Sequence, residues 1–154
     1  MPADLTRLQA WGFGFPGPLR DELTALALAG TKTTTAGLLV ETELEGEDLP
    51  VAGMREVLLD SEEKPVAVIE TVDCRVARLA DVDDRHAIDE GEGYANAAEF
   101  RVAHEAFWNG YLEDLRASLG DPTFTIDDDT MIVLQRFKIV ERVDQDPGLT
   151  RPPS

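Results

Sequence analysis

The chain has 154 residues, 43% of them hydrophobic, which suits one folded core and excludes a disordered chain. Its 31 acidic against 14 basic residues give a net charge of -17, which repels a phosphate backbone at long range and excludes a broad duplex-DNA face. No apolar run approaches the ~20 residues of a membrane span, and the single Cys74 excludes an internal disulfide.

Met1-Pro2-Ala3-Asp4 has neither the basic nor the apolar region of a signal peptide, so a cytoplasmic location is expected. Leu5, Leu8, Trp11, Phe13 and Phe15 precede Pro16-Gly17-Pro18, which predicts a short helix or turn leading into an irregular aromatic segment. These rings either cap the core or stack on a base. Leu19, Leu23, Leu26 and Ala27 share one helical face, with Asp21 and Glu22 at the positive end of the dipole. Gly30 is placed to end that helix in a left-handed conformation.

A hydroxyl-rich stretch follows, Gly30-Thr31-Lys32-Thr33-Thr34-Thr35, with one basic side chain among the threonines. Ala36 to Val40 is a short helix or an extended segment, and periodicity does not decide. Glu41, Glu43, Glu45, Glu47 and Asp48 are expected on a solvated face. Arg55–Leu59 and Pro65–Val72 read as a hairpin around Asp60-Ser61-Glu62-Glu63-Lys64, the second strand running on through Val76 with Cys74 as a small core residue. A short helix is expected at Arg85–Asp89. Asn96-Ala97-Ala98-Glu99 starts a long helix as a capping box, with Phe100, Ala103, Phe107, Tyr111 and Leu115 on one stripe to about Leu119 and Gly110 weakening its middle. Phe124 and Ile126 are strand-like, Asp127-Asp128-Asp129 is a turn, and Met131–Val143 is a long strand. One domain is expected over residues 1–143, with a disordered tail over 144–154.

Taken together, Gly30-x-Lys32-Thr33-x-Thr35, the strand pair after it, Ala87-x-x-Glu90-Gly91-Glu92-Gly93 and Arg101-x-x-His104 resemble the ASCH domain of the PUA-like superfamily. The resemblance covers roughly Phe13 to Val143. Phe100 stands where the family has tryptophan before the helix arginine, Tyr94 where it has an acid, and Gly53-Met54 where it has a Gly-Asp turn. The resemblance implies an α+β fold, a small β-barrel with flanking helices, and a cleft that binds RNA or modified nucleotides. One branch consists of amidohydrolases acting on N4-acetylcytidine through a lysine, a threonine and a glutamate. By motif these are Lys32, Thr35 and Glu90. Another branch includes a metal-dependent ribonuclease acting on single strands. Other members have no assigned activity, which leaves a non-catalytic RNA- or nucleotide-binding module as an alternative.

Amide hydrolysis needs a nucleophile, a base for it and an acid for the leaving amine. Thr35 offers the hydroxyl. Lys32 either acts neutral, with a pKa lowered by burial, or holds an oxygen as a cation. Glu90 is the candidate to protonate the departing nitrogen and activate water. Thr33 and Thr34 either touch the substrate or satisfy local backbone, and Glu92 is expected to support Glu90. Arg101 and His104, one helical turn apart, either contact a phosphate or orient Glu90, or serve only in packing behind the site. His86 and His104 match no compact metal motif, so no cofactor is expected outside the ribonuclease alternative, which needs a divalent cation. The expected partner is a nucleoside, a nucleotide or a short single-stranded RNA.

Overall fold

The computed structural model describes residues 7–143. The expectations for Leu5, for the leader region and for the tail from Asp144 lie outside the described residues.

The chain builds one five-stranded sheet. The element order is β1 (Ala10–Trp11), α1 (Pro18–Leu28), β2 (Thr34–Leu38), α2 (Leu39–Glu45), β3 (Arg55–Leu59), β4 (Pro65–Arg78), α3 (Asp84–Asp89), α4 (Ala97–Asn109), α5 (Leu112–Leu119) and β5 (Met131–Arg142). Strands lie in the order β1-β3-β4-β5-β2. The pairings are antiparallel except β1 with β3, which is parallel. The expected barrel is not formed among the described residues: β1 and β2 are the two edges and do not pair, so the sheet stays open. Two residues of β1 offer too short a ladder to close it.

Side chains alternate across β5 and divide the core. Ile132 and Leu134 face a cluster with Phe100, Trp108 and Leu115 from the helices after β4. Phe137 and Ile139 face the other cluster, with Phe13, Ala27, Leu58 and Ile69. The hairpin of β3 and β4 is as expected, and β4 runs on past Val76 to Arg78. Cys74 is half-buried and is not a core residue.

Four local expectations need correction. Ala36–Val40 is neither all helix nor all strand: β2 ends at Leu38 and α2 begins at Leu39. The long helix is two helices, because Gly110 and Tyr111 interrupt it, and Tyr111 takes a non-helical φ of -131°. In α1 the buried residues are Arg20, Thr24 and Ala27, and Leu19 is exposed. Phe124 and Ile126 lie outside any strand. The box-like start does form: the Asn96 carboxamide accepts from Glu99 N at 3.0 Å, and Glu99 reaches back to Ala95 N, one residue before the cap, at 2.7 Å. Such a cap contributes about 1 kcal/mol.

Candidate functional site

Lys32 follows α1 after the left-handed Gly30 (φ 81°) and is 1% exposed. Its ammonium donates to the Thr34 carbonyl (2.9 Å), the Glu90 carbonyl (3.2 Å), Glu90 Oε1 (2.9 Å) and Glu92 Oε2 (2.8 Å). The Phe13 ring lies 5.3 Å from the same nitrogen. A lysine bonded to two carboxylates in this way is a held cation.

Glu90 ends α3, which Asp83 caps by accepting from His86 N at 2.8 Å. The 86/90 spacing brings His86 Nε2 to 2.7 Å from Glu90 Oε2. Burial alone raises the Glu90 pKa, but the Lys32 charge, the His86 bond and His104 together outweigh it and lower it to about 2. Glu92 moves the other way, raised by burial and by Glu90 against the pull of Lys32. His104 sits 3.9 Å from Glu90 Oε1, stacks on Phe100 at 3.9 Å, and donates from Nδ1 to the Phe100 carbonyl at 2.9 Å. Burial lowers its pKa despite Glu90, so the ring is neutral at pH 7.

The backbone of Gly91 fits where nothing larger would. Its φ is +72°, and a Cβ there would stand 2.4 Å from the Thr31 carbonyl oxygen and 2.7 Å from Lys32 Cα. This close approach packs the Glu90–Glu92 loop onto the lysine stretch.

The three threonines diverge. Thr33 Oγ1 donates to the Asp89 carbonyl at 3.3 Å, and Thr34 Oγ1 donates to the His86 carbonyl at 3.0 Å. Thr35 points to the opposite face of β2, makes no side-chain bond among the described residues, and opens on a cavity of about 430 Å³. Trp11, Phe15, Phe107, Trp108 and Tyr111 border that cavity, with Gln135 and Glu56 on its floor. Phe15 and Tyr111 meet edge to face at 4.9 Å. Arg20 clips the aromatic segment in place by donating to the Phe13 and Gly14 carbonyls.

The acids of α2 and its loop are not a plain solvated face: Glu41, Glu45, Glu47 and Asp48 also border the cavity. Glu41 Oε1 accepts from the Tyr111 hydroxyl at 2.8 Å, a contact that the break at Gly110 permits. A second cavity of about 450 Å³ opens on the Thr34 face, bordered by Arg75, Arg85, Arg136 and His86.

An ASCH domain model matches residues 9–141. The chain belongs to the ASCH domain family.

Two solved structures share the ASCH fold seen here. Protein EF3133 from Enterococcus faecalis V583 superposes with a TM-score of 0.73 at 25% identity, covering 87% of this chain and 77% of that one. An ASCH domain from Lactobacillus crispatus JV V101 superposes with a TM-score of 0.70 at 25% identity, covering 87% and 80%. No curated protein matches the chain.

Of the residues that the ASCH resemblance singled out, Lys32, Glu90, Glu92 and His104 come together, and Thr33 and Thr34 fasten β2 to α3. Thr35 stands apart in the aromatic cavity. Arg101 turns away: it bonds Glu105 and Asp128 and has no contact with Glu90. The Asp127–Asp129 turn is tied down by Arg78 and Arg101. Among the described residues no group of three or more His, Cys, Asp or Glu is arranged to hold a metal ion. Sequence reasoning missed His86, which its spacing of four from Glu90 would have flagged. It also missed Glu56 and Gln135, a carboxylate and an amide buried in β3 and β5. Among the described residues no helix is long and apolar enough to cross a membrane.

Proposed function

We propose that this ASCH domain recognises an RNA-derived or modified nucleoside, whose base enters the cavity between Trp11, Phe15 and Tyr111 and meets Thr35 and Gln135 at its floor. One observation carries the reading: aromatic walls and unengaged polar atoms converge in one cleft of about 430 Å³. Aromatic side chains bind any base by its face, and a few fixed polar groups orient it. The Lys32–Glu90–His86 cluster holds the start of β2 through the Thr34 carbonyl and so fixes where Thr35 points.

Hydrolysis of an N4-acylated cytidine is the second reading, favoured by the unengaged Thr35 hydroxyl. That hydroxyl would attack the acyl carbon, and its proton would leave with the freed amine. Water would then release the acid and restore Thr35. In this reading the ionised Glu90, with a pKa of about 2, acts as support through Lys32 and the Thr34 carbonyl, and not as the proton donor.

Calorimetric titration with cytidine and N4-acetylcytidine, followed by chromatography of the products, tests both. Saturable binding lost in Gln135→Leu supports recognition, and cytidine release lost in Thr35→Val supports hydrolysis. Binding with no release leaves a non-catalytic module, and no binding of either compound overturns the nucleoside reading.

A further inference from the structure

The cavity that presents Thr35 has an unusual charge. Among the described residues, Glu41, Glu45, Glu47, Asp48 and Glu56 border it, against one basic group, Arg20. Arg20 is largely engaged: four of the five N–H groups of its guanidinium donate, to the Phe13, Gly14 and Asp60 carbonyls and to Glu63.

A separate observation concerns hydrogen bonding. Gln135 is 6% exposed, and its Nε2 is used by Glu56 Oε1 (3.0 Å) and Thr71 Oγ1 (2.9 Å). Bonding to a carboxylate identifies that atom as the amide nitrogen. The other atom, Oε1, has no donor among the described residues. No fully enclosed side-chain polar atom there lacks a partner, so Oε1 opens on the cavity. The floor therefore presents an acceptor that asks for a donor.

We propose that this cleft selects by charge: it takes a phosphate-free aromatic base rich in hydrogen-bond donors, neutral or cationic, and rejects the same base once it carries a phosphate. The proposal deepens the nucleoside reading and rests on it for the identity of the base. Carboxylates in a concave, partly dry wall focus a negative potential that repels phosphate and attracts ammonium or amino groups. The aromatic rings add to the preference for cations through their faces. A strand of RNA, which brings a phosphate with every base, is a poor occupant of this cleft.

Both tryptophans of the chain, Trp11 and Trp108, border the cavity, so quenching of intrinsic fluorescence reports its occupancy and calorimetry gives the affinity. Two matched pairs separate charge from base identity: cytidine against cytidine monophosphate, and phenethylamine against phenylacetate. At low salt the phosphate-free and cationic members should bind about tenfold or more tightly than their anionic counterparts, and added salt should narrow the gap. Glu45→Gln with Asp48→Asn, both at exposed positions, should also narrow it while circular dichroism stays unchanged. Monophosphate binding as tight as cytidine would overturn charge selection and leave nucleoside recognition standing. Preference for phenethylamine without any cytidine binding would overturn nucleoside recognition and keep charge selection. Failure of all four probes would overturn both.

Discussion

The ammonium of Lys32 lies 2.9 Å from Glu90 Oε1, and both side chains are 1% exposed. Two charges so far from water are tolerated only because each is fully bonded. Removing one partner strands the other. Lys32→Met leaves Glu90 and Glu92 facing each other without a cation and should cost about 3–5 kcal/mol in urea unfolding. Glu92→Gln should cost less, because Glu92 keeps 16% exposure and can find water. A Lys32→Met loss no larger than that of Glu92→Gln would contradict the keystone role.

Glu90 also sets the acid limb of stability. Its pKa falls from an ordinary glutamate value of about 4.3 in the unfolded chain to about 2 when folded. The carboxylate stabilises the fold fully above the unfolded value, and the contribution is lost as pH drops towards 2. Wild type should therefore weaken steeply over that window. Glu90→Gln should start less stable and show a flatter acid limb in denaturant titrations. An unchanged slope would assign the acid sensitivity to other carboxylates.

Two glycines of the same loop should respond very differently to alanine. Gly91→Ala forces a Cβ into the Thr31 carbonyl, whereas Gly93, with φ +94°, has open space around it. Gly93→Ala should cost about 1 kcal/mol of backbone strain alone. Gly91→Ala should cost several times more and disturb Lys32. Thermal unfolding of the two variants side by side checks the ranking, which equal losses would refute.

Glu47 gives the cleft a pH response near neutrality. Burial, then Glu45, then Glu56 raise its pKa to about 7. Above that value it ionises and deepens the negative potential, so phenethylamine should bind more tightly as pH rises through 7. Ionising it also costs the fold, because the raised folded pKa means that stability declines from about pH 4.3 upwards until Glu47 is ionised. Both trends should flatten in Glu47→Gln; a wild-type binding curve level across pH 7 would exclude this carboxylate as the source.

Much of the fold was legible because local signals agreed with the final structure. Alternation in Arg55–Leu59 and Pro65–Val76, the Asn96/Glu99 box and the glycine after α1 each act over a few residues. The lysine–glutamate meeting was legible only through the family resemblance, since nothing local joins positions 32 and 90. The cleft was legible only in part: the Trp11–Phe15 segment was one of its walls, offered as a stacking surface, and the rest was not. Its floor joins Glu56 and Gln135 from different strands, and its wall depends on a helix break whose direction Gly110 does not specify. The acids of α2 illustrate the difficulty: a run of glutamates looks the same whether it faces bulk water or borders a cavity.

Thr33, Thr34 and Thr35 are three identical letters with three unrelated duties. One ties the loop to the end of α3, one is sealed beneath His86, and one looks into the aromatic cleft. Randomising the three codons would therefore return three unlike tolerance profiles. The first position should accept most polar residues and the second almost nothing but threonine or serine. The third should keep the fold with many residues while losing whatever the cleft does. Deleting any one of them gives the same shortened chain, in which a one-step slide of the strand keeps a threonine at the sealed position and brings Ala36 to the open one.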